Sequence, residues 1–213
     1  MSKAFKRGFI FSELAAQRSA KINPVLIRHI RAEQKASRNG ETNWEVINTP
    51  LEDYTWDGLE IDFERMLLEK IKNRTSSAPL RVLDVGIGTG KQWVKFLDSN
   101  NLTLGKEIEL HGTALTKQAV HPLIRKNVKL ATANNVHRKF PADHFDVVVS
   151  RFGMHFQEKE GLEDALHVAK SHGEIIVVGP GNRSPQLQEN NPHYSLLDFA
   201  KKESRWGYLL RKK

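Results

Sequence analysis

Residues 81–90 read Arg-Val-Leu-Asp-Val-Gly-Ile-Gly-Thr-Gly. Leu80, Val82, Leu83 and Val85 form a short apolar run rich in β-branched residues, ended by glycine. Such a run predicts a buried parallel strand. Gly86, Gly88 and Gly90 then alternate, and Trp93, Val94, Phe96 and Leu97 follow at helical spacing. The stretch therefore reads as strand, glycine turn and helix. That unit brings backbone N–H groups and a helix N-terminus against a ligand.

The spacing narrows the ligand. A dinucleotide fold uses G-x-G-x-x-G and a P-loop uses G-x-x-x-x-G-K-[ST]. Here the pattern is G-x-G-x-G, and Lys91 stands where a third dinucleotide glycine belongs. Asp84 precedes the turn. An acid there repels a pyrophosphate and suits an ammonium group. Leu83-Asp84-Val85-Gly86-Ile87-Gly88-Thr89-Gly90 resembles the first motif of the class I S-adenosylmethionine-dependent methyltransferases. The resemblance extends over about residues 60–180. It implies S-adenosylmethionine as cofactor, S-adenosylhomocysteine as product, and a turn packed against the methionine and ribose portions.

The same resemblance supplies further expectations. Ile108 to Leu115 reads as the second strand, whose last acid takes the ribose hydroxyls in that family. Ala114 occupies the acid's place and Leu115 follows it. A methyl group accepts no hydrogen bond, and a ribose hydroxyl left without an acceptor costs on the order of 1–3 kcal/mol. Thr113 or Thr116, or a water, is left to substitute, or cofactor binding is weak. Val128 to Ala133 reads as the third strand, ending at Asn134 and Asn135. Asn134 stands where the family often places an Asp near the adenine, and its carbonyl can accept the same bond. The alternative for this pair is an Asx turn closing the strand.

Phe145-Asp146-Val147-Val148-Val149-Ser150 is the fourth strand and the second clear piece of the resemblance. The residues after it face the transferred methyl in the family, and ligands of open α/β sheets bind beyond the carboxyl ends of the strands. The cofactor-binding set implied is Asp84, Gly86, Ile87, Gly88, Gly90, Ala114, Leu115, Asn134, Asn135 and Ser150. His155 is the candidate proton-handling residue, because its reference pKa lies near working pH. Packing against the adenine or a helix is its other role. Arg151 reads either as a holder of an acidic substrate or as a surface charge.

Around this centre the chain predicts an α/β protein. A Rossmann-like, mostly parallel, doubly wound sheet of six to seven strands carries helices on both faces, with a helical N-terminal extension. Residues 1–58 form the extension and 59–213 the methyltransferase domain. Residues 61–73 read as an amphipathic helix, with Phe63, Met66, Leu67 and Ile71 on one face. Lys117 to Arg125 reads as a helix broken by Pro122, and Leu162 to Ser171 as a helix ended by Gly173. Glu174 to Gly179 is the fifth strand. Asn191-Pro192-His193-Tyr194 resembles the N-P-P-Y signature of amino-methylating enzymes but follows the wrong strand. It reads instead as the N-cap and first turn of a last helix through Tyr194, Leu196, Leu197 and Phe199. Trp206 to Leu210 gives a short final strand, and the sheet edge is expected to be trimmed.

Composition bounds the function. The sequence has no cysteine, which removes disulfides and thiolate zinc sites. No apolar run approaches the ~18 residues of a membrane-spanning helix. A soluble, cytoplasmic protein is the expectation, or an organelle-matrix protein if the N-terminus is a targeting segment. The net charge is +8 and unevenly placed. Residues 1–40 hold nine Lys or Arg and two acids, giving +7, whereas the remaining 173 hold 24 against 23. The basic character thus belongs to the arm. Pro24 can open a helix there, with Val25, Leu26, Ile27 and Ile30 near one face beside Arg28 and Arg31. The arm suits RNA or another polyanion, a membrane surface, organelle targeting, or simple capping of the domain. Tyr54 and Trp56 read as a cleft lid or as anchors of the arm.

The leading function is an S-adenosylmethionine-dependent methyltransferase, most simply of a small molecule. The alternatives are a non-catalytic binding or scaffold protein on the same fold, motivated by Ala114, and an RNA methyltransferase recruited by residues 1–40. An NAD enzyme is disfavoured by Lys91.

Overall fold

The computed structural model describes residues 63–114, 120–151, 153, 158–180, 187, 191–202 and 205–213. The N-terminal extension, Tyr54 and Trp56 lie outside the described residues. In chain order the elements begin with helix α1 (Phe63–Lys72), strand β1 (Leu80–Val85), helix α2 (Lys91–Ser99) and strand β2 (Ile108–Ala114). A one-turn helix α3 (Pro122–Arg125), strand β3 (Val128–Leu130), a 3-10 helix (Ala133–Arg138) and strand β4 (Phe145–Arg151) follow. Helix α4 (Glu158–Val168), strand β5 (Ala169–Pro180), strand β6 (Tyr194–Lys202) and strand β7 (Arg205–Lys212) complete the set.

The seven strands make one sheet in the order β3-β2-β1-β4-β5-β7-β6. Strands β1 to β5 pair in parallel, and β7 pairs antiparallel with both β5 and β6. The winding reverses between β1 and β4. In open α/β sheets that reversal opens a crevice beyond the strand ends, where ligands bind.

Both faces are covered, as the near-continuous apolar strands require. Val82, Leu110, Val147, Val149 and Ile176 pack under Phe63 and Leu67 of α1, Trp93, Phe96 and Leu97 of α2, and Ile124 of α3. Trp93 meets Phe63 and Phe96 edge-on, at 5.9 and 6.1 Å between ring centres. On the opposite face Leu83, Val85, Val148, Ile175 and Val177 pack with Val136, Phe140 and Ala165. At the antiparallel end Trp206 and Tyr208 stack at 5.6 Å, both buried.

Five local readings are corrected. Tyr194 to Lys202 is the edge strand β6, not a helix, so the sheet has seven strands and no trimmed edge. The register of β6 against β7 shifts between Leu196 and Asp198. That bulge leaves Leu197 and Phe199 exposed and breaks the two-residue alternation that marks a strand. Asn191 is accordingly no helix cap. Its side-chain oxygen accepts the His193 N–H at 2.8 Å, an Asx turn ahead of β6.

Pro122 opens α3 rather than breaking a helix, and the His121 ring accepts the Leu123 N–H at the cap. Residues 115–119 lie outside the described residues. Helix α4 ends at Val168, three residues short of Ser171, and β5 begins at Ala169. Regular pairing with β4 is nevertheless interrupted between Phe145↔Ala169 and Val147↔Glu174. His172, at φ 63°, and Gly173 lie in that irregular stretch. Strand β3 ends at Leu130, and Asn134 and Asn135 belong to the 3-10 helix.

Candidate functional site

The site is built where β1 runs into α2. Gly86, Gly88 and Gly90 have φ of 83°, 61° and 68°, a region where a side chain strains the backbone. The turn is pinned to β2. Gly86 N–H donates to Thr113 Oγ1 at 3.0 Å, and Ile87 N–H to the Thr113 carbonyl at 2.9 Å. The three glycines then differ in their surroundings. A β-carbon on Gly86 would lie 2.8 Å from Gly153 Cα, so the chain leaving β4 crosses directly over it. A β-carbon on Gly90 would overlap Ile124 Cδ1 of α3. One on Gly88 meets no described atom within 4 Å. Gly86 and Gly90 are thus glycines of packing, and Gly88 is the one with no neighbour to a β-carbon among the described residues.

Ile87 belongs to the core. Its side chain covers Gly112, whose β-carbon would lie 2.8 Å from Ile87 Cδ1. Asp84 is fully buried one step before the turn. Its Oδ2 accepts the Trp93 indole N–H at 2.6 Å and meets Arg151 Nη2 at 3.2 Å. Its Oδ1 is buried and has no hydrogen-bond partner. Burial pushes the carboxyl above the usual Asp range, while the Arg151 charge and the Trp93 and Arg151 hydrogen bonds pull it back. A buried carboxylate with one engaged and one spare oxygen is costly unless something completes it. An ammonium group has the charge and the protons to do so. The Arg151 side chain, 13% exposed, is no surface charge.

Ser150 is also buried, and its hydroxyl donates to the Val85 carbonyl at 2.9 Å. It ties the end of β4 to the end of β1. Ala114 ends β2 and is 7% exposed within the apolar layer, with its carbonyl accepting the Ala131 N–H. Asn134 Oδ1 accepts from Thr132 Oγ1 at 2.8 Å and from Asn135 Nδ2 at 2.9 Å. The Asn135 amide also donates to Thr132 Oγ1 at 2.8 Å. These three side chains bond one another just beyond β3, through side-chain contacts alone. Leu115 and His155 lie outside the described residues.

Asp84, Ser150 and Arg151 thus gather at the carboxyl ends of the adjacent strands β1 and β4, beside the glycine turn. The residue missed from sequence is Arg151 as the partner of Asp84. The signal was available, since parallel β1 and β4 bring both strand ends to one edge.

No protein-family model matches the sequence, and neither does any curated protein. Solved structures do. A CMeT domain of the citrinin polyketide synthase superposes with a TM-score of 0.51 at 11% identity, over 70% of this chain and 50% of that one. A protein from Galdieria sulphuraria described as a putative sarcosine dimethylglycine methyltransferase gives 0.50 at 9% identity, over 70% of this chain and 85% of that one. An S-adenosylmethionine-dependent methyltransferase from Aquifex aeolicus gives 0.48 at 13% identity, over 71% and 90%. With the parallel core, its antiparallel β7 and the glycine turn at the reversal point, the chain has the class I methyltransferase fold.

Proposed function

We propose that the chain is an S-adenosylmethionine-dependent methyltransferase whose acceptor is a small molecule. The observation that carries this reading is the pairing of Asp84 with Gly88. One is a buried acid with a spare oxygen, and the other is the turn glycine whose β-carbon would meet no described atom within 4 Å. Both lie at the end of β1, at the reversal of strand order. The donor set fits the methionine half of the cofactor. Asp84 Oδ1 would hold the ammonium, Gly88 would allow close approach of the backbone, and Arg151 supplies a positive charge suited to the carboxylate. The ribose half is less well served, because Ala114 offers a methyl where an acceptor is wanted.

When bound, the cofactor supplies a methyl group already electrophilic on its sulfonium. The protein's remaining work is to align an acceptor atom and exclude water. Trp93 and Arg151 fix the Asp84 carboxylate, and Ser150 fixes the separation of β1 and β4. Proton removal from the acceptor falls to His155 in this reading.

The second reading is a non-catalytic binding protein on the same fold, and Ala114 favours it. Calorimetry with S-adenosylmethionine, S-adenosylhomocysteine and NAD separates the cases. Binding of the first two, lost in Asp84→Ala, supports the methyltransferase. No binding of any of them refutes it.

A further inference from the structure

A second cluster lies at the other end of the sheet. Glu109 and His111 stand two residues apart on β2, so both point to the face carrying the 3-10 helix and α4. His144 lies in the loop just before β4, its backbone N–H held by the Val168 carbonyl at 2.8 Å. One ligand-type atom from each of these three residues lies within 4.8 Å of the other two. All three are half-buried, within reach of solvent. At about 3.3 Å per residue, His111 sits roughly 10 Å back along β2 from Ala114, and Glu109 farther still. His111 pairs with Leu83 in the sheet, but it faces Phe140 and Phe145 on the side opposite Trp93, the partner of Asp84.

We propose that Glu109, His111 and His144 form a binding site for one divalent first-row transition-metal ion, of the class represented by zinc. Two imidazoles and a carboxylate suit such ions better than calcium or magnesium, which take oxygen ligands. Tetrahedral coordination at about 2.1 Å needs ligand atoms roughly 3.4 Å apart. Glu109 Oε1 and His111 Nε2 are already 2.9 Å apart, so only the His144 ring has to close in. The other His111 nitrogen, Nδ1, is buried and makes no hydrogen bond. With Nε2 turned to a metal, the ring proton sits on Nδ1. The ring is confined edge-on by Phe140 and Phe145, at 5.8 and 5.6 Å between centres.

The opposing charges are Arg81, 3.1 Å from Glu109 Oε2, and Lys170, which is engaged with Asp146 at 2.6 Å. Arg81 is 37% exposed and can turn to solvent while Glu109 Oε1 ligates. The metal would clip β2 to the segment entering β4, leaving further coordination positions to water. On the face opposite Trp93 and the Asp84 carboxylate, it acts on the fold and not on methyl transfer, and the proposal stands apart from the methyltransferase reading.

The test uses the full chain after dialysis against chelator. Zinc chloride is titrated by calorimetry, and cobalt(II) by visible absorption. The expected result is one ion per chain, with the intense ligand-field bands of a low-coordinate cobalt site. His144→Gln and His111→Gln should each weaken affinity at least tenfold and abolish the bands. His193→Gln, in the exposed turn before β6, should change neither. Circular dichroism checks that each variant folds, and His144→Gln carries the result if His111→Gln does not. No stoichiometric binding, or equal binding by wild type and His144→Gln, overturns the proposal.

Discussion

Replacing Gly88 and Gly90 singly by alanine separates a glycine kept for a ligand from one kept for packing. Both have left-handed φ, 61° and 68°, so both variants carry a backbone cost of roughly 1–2 kcal/mol. Their surroundings then part them. The new methyl at Gly88 meets no described atom within 4 Å, and nothing more is lost. The methyl at Gly90 overlaps Ile124 Cδ1, and Ile124 is fully buried and cannot swing away. Overpacking of that kind adds roughly 1–3 kcal/mol. Gly88→Ala should cost about 1–2 kcal/mol in all, and Gly90→Ala about 2–5 kcal/mol. For a chain of this size 1 kcal/mol moves Tm by about 2–4 °C, so the two melts should differ by several degrees. Cofactor affinity should fall in the reverse order. Gly88→Ala puts a methyl in the ligand's path and should weaken S-adenosylmethionine binding at least tenfold while the protein stays folded. Urea unfolding, scanning calorimetry and titration calorimetry supply the three numbers. Equal destabilisation by the two substitutions would refute the packing argument. Undiminished affinity in Gly88→Ala would remove the turn from the site.

Further expectations concern the acids and the arm. Ala114→Asp should tighten cofactor binding by up to ~1–2 kcal/mol, the worth of a charged acceptor for the ribose hydroxyls, and unchanged affinity would mean that Ala114 does not face the ribose. Asp84, raised by burial above its unfolded value of about 3.9, binds protons more tightly in the folded state, so its contribution to stability is present at low pH and is lost as pH rises through the folded value. Asp84→Asn should therefore gain stability relative to wild type as pH rises from about 4, against a constant offset from Arg151; a flat or falling difference in urea unfolding would show that the Arg151 pair outweighs burial. Deleting residues 1–40, which carry +7, should leave cofactor affinity within a few-fold and remove most polyanion binding. In the full chain that binding should weaken steeply with salt, by roughly 0.9 in log–log slope per duplex phosphate contact; salt-insensitive or absent binding would make the arm structural.

The parallel core was legible because β1, β4 and β5 hold apolar runs that end in glycine or a polar turn. Leu80–Val85 with the three glycines, and Phe145–Arg151, needed no tertiary information. The antiparallel end was not legible. In β6 the bulge between Leu196 and Asp198 places Leu197 out of step, and the apolar spacing then imitates a helix. Pro122 was ambiguous for a different reason: one residue cannot say whether it ends a helix or begins one, and His121 as cap decides. At the site, sequence picked out Asp84 and the turn but could not tell which glycine lacks a neighbour to a β-carbon among the described residues. That depends on Ile124 and Gly153, which come from far along the chain. Parallel β1 and β4 already implied that Arg151 and Asp84 share one edge, and the structure adds the inward turn of the guanidinium onto the carboxylate.

The position of β7 between β5 and β6 has a consequence for biosynthesis. A nascent chain that has not yet released Arg205–Lys212 leaves the open edge of β5, with Ile175, Ile176, Val177 and Val178, waiting for a partner made some thirty residues later. Such an apolar edge is a template for pairing with another chain. During that interval the growing polypeptide depends on the ribosome or a chaperone to keep neighbouring copies apart, and slowed translation before Arg205 should raise the insoluble fraction in cells.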